Sequence, residues 1–160
     1  MIIVIMGVAG AGKTTAGKLL ADDLRWMFYD AEDFYSPASR EKLTGGIPLT
    51  DTDHAAWLLT LRNLLIQNVH SNRSVVLACS ALKETYRQSL RVNAAVYFVY
   101  LMGKRVELED RQAQRKNQSL GAGIQADQFD ELEEPRDALE IDFKLTPPEI
   151  VEQIRKGLNL

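Results

Sequence analysis

Residues 2–14 constrain this chain more than any other stretch. Five consecutive apolar residues, Ile2-Ile3-Val4-Ile5-Met6, run directly into Gly7-Val8-Ala9-Gly10-Ala11-Gly12-Lys13-Thr14. A run that is apolar at every position is a strand covered on both faces, the signature of a central strand in a parallel sheet. Two glycines with four residues between them, followed by lysine and a hydroxyl residue, form a phosphate-binding loop. Glycine permits positive φ, so successive N–H groups can turn inward as a nest, while the helix that follows points its positive dipole end at the same spot. On this pattern Gly7, Val8, Ala9, Gly10, Ala11, Gly12, Lys13, Thr14 and the adjoining Thr15 are the expected contacts to a nucleotide. Lys13 reaches the terminal phosphates, and the Thr14 hydroxyl holds Mg²⁺.

Beyond the loop, hydrophobic runs alternate with helical patterns to the end of the chain, which predicts an α/β domain with a mostly parallel sheet. Thr14–Leu24 reads as a helix, and Met27-Phe28-Tyr29 as a short strand that delivers Asp30, Glu32 and Asp33 at its C-terminal end, where open α/β sheets bind ligands. Trp57, Leu58, Leu61, Leu64, Leu65 and Val69 fall at helical spacing and read as core. Further strands are expected at Val75–Ala78, Ala95–Leu101 and Leu139–Ile141, with helices over Leu82–Leu90 and Lys104–Lys116. Thr146-Pro147-Pro148-Glu149 opens a last helix with a capping box and proline at its first position.

Composition excludes several classes of function. The 160 residues carry a formal charge of −3 and no long basic run, so nothing predicts binding to nucleic acid, which depends on neutralising phosphates. The apolar run at the N-terminus is too short for a signal h-region or a membrane span. Cys79 is the single cysteine, which favours a reducing compartment, and the chain reads as cytoplasmic. Charge is nevertheless uneven. Residues 83–116 hold eight Lys and Arg against four acids, a local positive field suited to a small anion. No Walker-B strand ending in Asp-Glu and no Asn-Lys-x-Asp motif is visible, which leaves a small-molecule kinase as the best reading.

Several blocks more specific than the loop resemble the gluconate kinases, phosphate-loop sugar-acid kinases related in fold to shikimate kinase. They are Gly7–Thr15, Phe28–Phe34, Gly46-Ile47-Pro48-Leu49-Thr50-Asp51-Thr52-Asp53 with Trp57-Leu58, and Ala78-Cys79-Ser80-Ala81-Leu82-Lys83 with Tyr86-Arg87 and Leu90-Arg91. Tyr100–Gly103, Arg111, Arg115-Lys116, Gln128-Phe129, Leu132-Glu133 and Pro135 extend the match over nearly the whole chain. The resemblance implies one three-layer phosphate-loop domain with a five-stranded parallel sheet, a helical acceptor-binding insertion near residues 36–70 and a lid near 111–124. It further implies ATP- and Mg²⁺-dependent phosphorylation of the 6-hydroxyl of gluconate, and a homodimer.

Within that frame the residues divide the work. Asp30 or Glu32 can orient the acceptor hydroxyl and take its proton, Asp30 serving also as a magnesium ligand beside Thr14. Lys83 and Arg87 are candidates for the substrate carboxylate, and Arg111 and Arg115, one helical turn apart, for the nucleotide. The acceptor side departs from the family pattern. Glu32 stands for the second aspartate of an Asp-x-Asp pair, Tyr35 for a histidine, Ser39 for an asparagine, His54 and Ala56 for an arginine and a proline, and Gln118-Ser119-Leu120 for His-Phe-Met. Those changes keep two alternatives open: a kinase for another small hydroxy acid or polyol, and a nucleotide-binding protein with reduced or lost catalysis. His54 reads as a helix-start residue, and Cys79 as buried and inert.

Overall fold

The computed structural model describes residues 1–114, with side chains through Asp110, and residues 128–160. Strands β1 (Ile2–Met6), β2 (Met27–Asp30), β3 (Val75–Ala78), β4 (Val96–Met102) and β5 (Leu139–Asp142) form one parallel sheet in the order β2-β3-β1-β4-β5. Helices α1 (Lys13–Leu24), α2 (Pro37–Thr44), α3 (Asp51–His70), α4 (Glu84–Leu90), α5 (Arg105–Gln114) and α6 (Pro147–Leu158) connect and cover it.

The two-residue alternation of strands sorts the apolar side chains into two cores. Ile3 and Ile5 of β1, Val76 of β3, and Val99 and Leu101 of β4 face α1 and α6, where Ala16, Leu20, Ile150 and Ile154 meet them. Ile2, Val4 and Met6, with Val75, Leu77, Phe98 and Tyr100, face α3 and pack on Trp57, Leu58, Leu61 and Leu65. Two-sided burial explains why β1 is apolar at all five positions, every one of them buried. Of the α3 stripe anticipated as core, Trp57, Leu58, Leu61 and Leu65 are buried in it and Val69 packs at its margin, while Leu64 is half-buried outside it.

Strand order reverses beside β1. The chain leaves β1 through α1 towards the β2 edge, and leaves β3 through α4 to β4 on the opposite side, which opens a crevice at the C-terminal ends of β1 and β3. Gly7 ends β1 at φ 137, and a Cβ there would lie 2.8 Å from the Leu101 carbonyl oxygen, so the turn into the loop requires glycine. Gly12, at φ 102, is the left-handed residue that caps α1 and lets its first N–H groups face the crevice.

One boundary differs instructively from expectation. The helix expected from Leu82 begins at Glu84, because Ala81 takes the left-handed φ of 43 and residues 80–83 form a turn. A non-glycine residue there is unfavourable and needs outside support. That support is a buried arginine, described below. No helix among the described residues is long and apolar enough to cross a membrane.

Candidate active site

The crevice holds two joined cavities. The first, about 430 Å³, is lined by the phosphate loop (Ala9, Gly10, Gly12, Lys13, Thr14, Thr15), the end of β2 (Asp30, Ala31, Glu32) and the end of β3 (Ala78, Cys79, Ser80). The second, about 280 Å³, lies under the insertion and is walled by Tyr35, Ile47, Pro48, His54, Trp57 and Tyr86 among others. Tyr35, Trp57, Ser80 and Gln128 line both and mark where they meet. A larger groove of about 670 Å³ between α1 and α6 lies away from the loop, and its main polar feature is the exposed Asp23–Arg155 ion pair.

In the first cavity, Lys13 Nζ donates to the Val8 carbonyl at 3.0 Å and so folds back over its own loop. Burial lowers its pKa, against the opposing pull of Glu32, Cys79 and Asp30. Thr14 Oγ1 donates to Asp30 Oδ2 at 2.6 Å, and Asp30 Oδ1 accepts the Glu32 N–H at 3.1 Å as the cap of a 3₁₀ turn at Ala31–Phe34. The hydroxyl and carboxylate expected to share a magnesium ion are therefore side by side, a pair of hard oxygen donors that suits that ion. Among the described residues no group of three or more His, Cys, Asp or Glu forms a metal cage. Magnesium held by one carboxylate plus substrate phosphates needs none.

Glu32 is open to solvent on the cavity wall, yet partial burial there, followed by the charge of Asp30, raises its pKa, with Lys13 opposing. A carboxylate with a raised pKa is a stronger base, which suits proton removal from an alcohol. Cys79 is buried, and that burial pushes its thiol up to about 12, so it stays protonated and inert, as anticipated.

The second cavity is built by the Gly46–Asp53 block. Thr50 Oγ1 accepts the Asp53 N–H at 3.2 Å while Asp53 Oδ2 accepts the Thr50 N–H at 2.9 Å, a reciprocal cap that starts α3. Lys42 from α2 joins Asp53 at 2.7 Å, and these bonds lower the Asp53 carboxyl to about 2. The cap fixes the rotation of the first turns of α3, which sends His54 and Trp57, three residues apart, to the same side. Trp57 Nε1 donates to the Ala31 carbonyl at 2.8 Å, Tyr35 stacks on the Trp57 ring at 5.0 Å, and His54 lies 5.8 Å from the Tyr86 ring. The result is an aromatic cleft, and His54 is the basic side chain that lines it among the described residues.

Several expected site residues stand elsewhere. Arg87 lines neither cavity; it is 1% exposed, and its guanidinium donates to the Ala81 and Leu82 carbonyls at 3.0 and 2.9 Å and pairs with Glu84 at 2.8 Å. Its fork is spent on the strained turn at Ala81, so it is not available to a substrate carboxylate. Lys83 also stays outside the cleft, its Nζ 5.7 Å from the centre of the Tyr86 ring. Ser39 is buried against Ser36 as part of the α2 start, away from both cavities. The Arg111 side chain, Arg115 and Gln118-Ser119-Leu120 lie outside the described residues, as does most of the lid expected at 111–124.

Sequence reasoning passed over His54 and Gln128 as site residues. Spacing three residues before Trp57 was the available signal for His54. Nothing local points to Gln128, which reaches the loop from 119 residues away.

A two-cavity crevice at a phosphate loop, on a five-stranded parallel sheet, defines a phosphate-loop small-molecule kinase. The family model described as shikimate kinase matches residues 9–146. The gluconokinase of Gluconobacter oxydans is 39% identical over 136 residues, covering 84% of this chain and 76% of that one. Among solved structures, a sugar kinase from Janibacter superposes with a TM-score of 0.89 at 33% identity, covering 99% of this chain and 94% of that one. A gluconokinase from Sinorhizobium meliloti gives 0.86 at 33% identity, covering 98% and 90%. The chain belongs to the gluconokinase family, within the shikimate-kinase-like kinases.

Proposed function

We propose that this protein transfers the γ-phosphoryl group of ATP to the 6-hydroxyl of gluconate. The observation that carries the reading is the junction of the two cavities: a charged phosphate cradle with Lys13, Asp30 and Glu32 opens into an aromatic cleft holding His54. The acceptor oxygen attacks the γ-phosphorus, the bond to the β,γ-bridging oxygen breaks, and ADP leaves with that electron pair. The hydroxyl proton passes to the Glu32 carboxylate and from there to water. Lys13 and the loop N–H groups other than that of Ala9, which donates to the Gln128 side chain, hold the phosphates and offset the charge that spreads over them. Thr14 and Asp30 are the residues suited to hold Mg²⁺, which when bound neutralises charge on the nucleotide phosphates.

In the aromatic cleft, the half-buried Tyr35, backed by the buried Trp57 ring, walls the place for the carbon chain, and His54 is placed to meet the acid end. An imidazole N–H can give the carboxylate a charge-assisted hydrogen bond. Residues 36–70 then serve as the acceptor-binding insertion, and residues 111–124 as the lid. The buried free Cys79 supports a reducing, cytoplasmic setting. A homodimer follows from the family resemblance and is checked by sedimentation velocity.

The decisive measurement is ADP release from ATP and Mg²⁺ across sugar acids, sugars, polyols and shikimate. Formation of 6-phosphogluconate with clear preference for gluconate is expected; an inert purified protein with gluconate sinks the proposal. A second reading, a kinase for a different small hydroxy acid or polyol, is favoured by one observation. The altered positions Glu32, Tyr35 and His54 line the crevice itself, so they bear on acceptor choice. The same panel separates the two.

A further inference from the structure

Gln128 lies in the helical residues 128–131 and stands on the boundary between the two cavities. Its Oε1 accepts the Ala9 N–H of the phosphate loop at 2.6 Å. A backbone N–H can only donate, so this bond fixes which end of the carboxamide faces the loop. The oxygen is pinned to Ala9, and Nε2 is left facing away from it with two N–H donors. No hydrogen bond of Nε2 to another described residue is present. A half-buried amide held by one end, with its donor end free at the point where two ligand cavities join, is placed like a preorganised donor in a transfer site.

The geometry points to Gln128 as a further catalytic residue: pinned through Oε1 to Ala9, it donates from Nε2 to an oxygen of the phosphoryl group as that group passes from nucleotide to acceptor. The inference rests on the phosphoryl-transfer reading above, though not on gluconate as the acceptor. It gives the loop a second task. Besides cradling phosphates, the Ala9 N–H sets the position of a side chain from the far end of the sequence. Gln128 takes no proton and forms no bond to phosphorus; its two donors offset the negative charge on the moving oxygens, which a carboxylate in the same place would intensify.

Gln128→Glu separates this role from a structural tie. The carboxylate still accepts the Ala9 N–H, so a mere tie survives, but both donors are replaced by negative charge. With ATP and gluconate saturating, kcat is expected to fall by roughly a hundredfold or more, the scale seen for loss of one donor to a developing oxyanion. The thermal midpoint should stay close to that of the unaltered protein. Gln128→Ala, which loses pin and donors together without adding charge, should lose less activity than Gln128→Glu. Gln128→Glu with kcat within threefold of the unaltered protein overturns the inference, as does Gln128→Ala being the more impaired of the two. The slow transfer of phosphoryl from ATP to water, measured without acceptor, crosses the same point and should fall in parallel. If the unaltered protein hydrolyses ATP but ignores gluconate, the acceptor reading fails while Gln128 is still judged on hydrolysis. A protein inert in both assays overturns both.

Discussion

The two halves of the crevice are built in opposite ways. The phosphate half comes mainly from one continuous stretch, Gly7–Thr15, completed by Asp30 and Glu32 at the end of the neighbouring strand. The acceptor half draws Tyr35, the Gly46–Leu49 turn, His54 with Trp57, the Ser80–Leu82 turn with Tyr86, and Gln128 from five separate segments. A contiguous loop imposes its own geometry through glycine φ angles and a helix start, whereas a pocket assembled from distant segments depends on every element that carries a wall. Where the family pattern is altered within the described part of the crevice, Tyr35 lies on the junction, His54 in the assembled half and Glu32 at the strand end that completes the phosphate half, while the contiguous loop is intact.

The contrast can be broken most sharply at Lys13. Lys13→Ala removes the mobile cation of the phosphate half and is expected to lower kcat by about a thousandfold or more, measured as ADP release with acceptor saturating. A residual rate above a tenth of the original would show that the phosphate half does not carry the chemistry. Next comes Glu32→Gln, expected to cost about a hundredfold or more in kcat/KM through loss of the general base. The pH profile adds a sign. Because burial raises the Glu32 pKa, the base is protonated at a higher pH than an ordinary glutamate, so the acid limb of kcat/KM should be displaced towards higher pH. That limb should vanish in Glu32→Gln.

Arg87→Met tests the corrected role of a residue that the sequence offered as a ligand. It should lower unfolding stability by about 2 kcal/mol in a denaturant titration, less than a fully buried pair would lose because the Glu84 side chain is 43% exposed. KM for gluconate should move less than threefold; a large KM rise with unchanged stability would return Arg87 to the substrate. The smallest effect is expected at His54. His54→Leu should raise KM for gluconate by about tenfold, the worth of one charge-assisted hydrogen bond, and leave KM for a neutral polyol unchanged. Equal effects on both acceptors would remove His54 from carboxylate recognition.

Much of the fold was legible because its signals are local. The five strands, the two-sided burial of β1 and the Thr146 start of the last helix follow from runs, periods and caps, and the structure agrees to within a residue or two. The start of α4 was not legible. Leu82 and Lys83 carry no helix breaker, and the turn that displaces the helix exists because Arg87, further along, donates to the Ala81 and Leu82 carbonyls. The same bonds explain why Arg87 looked like a ligand: an arginine beside a functional block has the same one-letter appearance whether its fork faces a cavity or the core.

By itself, then, the sequence determined the sheet, the phosphate loop and the kinase class, because glycine spacing, strand alternation and helix caps act over a few residues. Only the tertiary structure decided which charged side chains reach the crevice. It turned Arg87 inward, left Lys83 over Tyr86, brought His54 into the aromatic cleft and laid Gln128 against Ala9. The physical reason is that a side chain's partner is set by how helices and turns are rotated against one another. That rotation comes from packing and long-range hydrogen bonds, which no window of neighbouring residues contains.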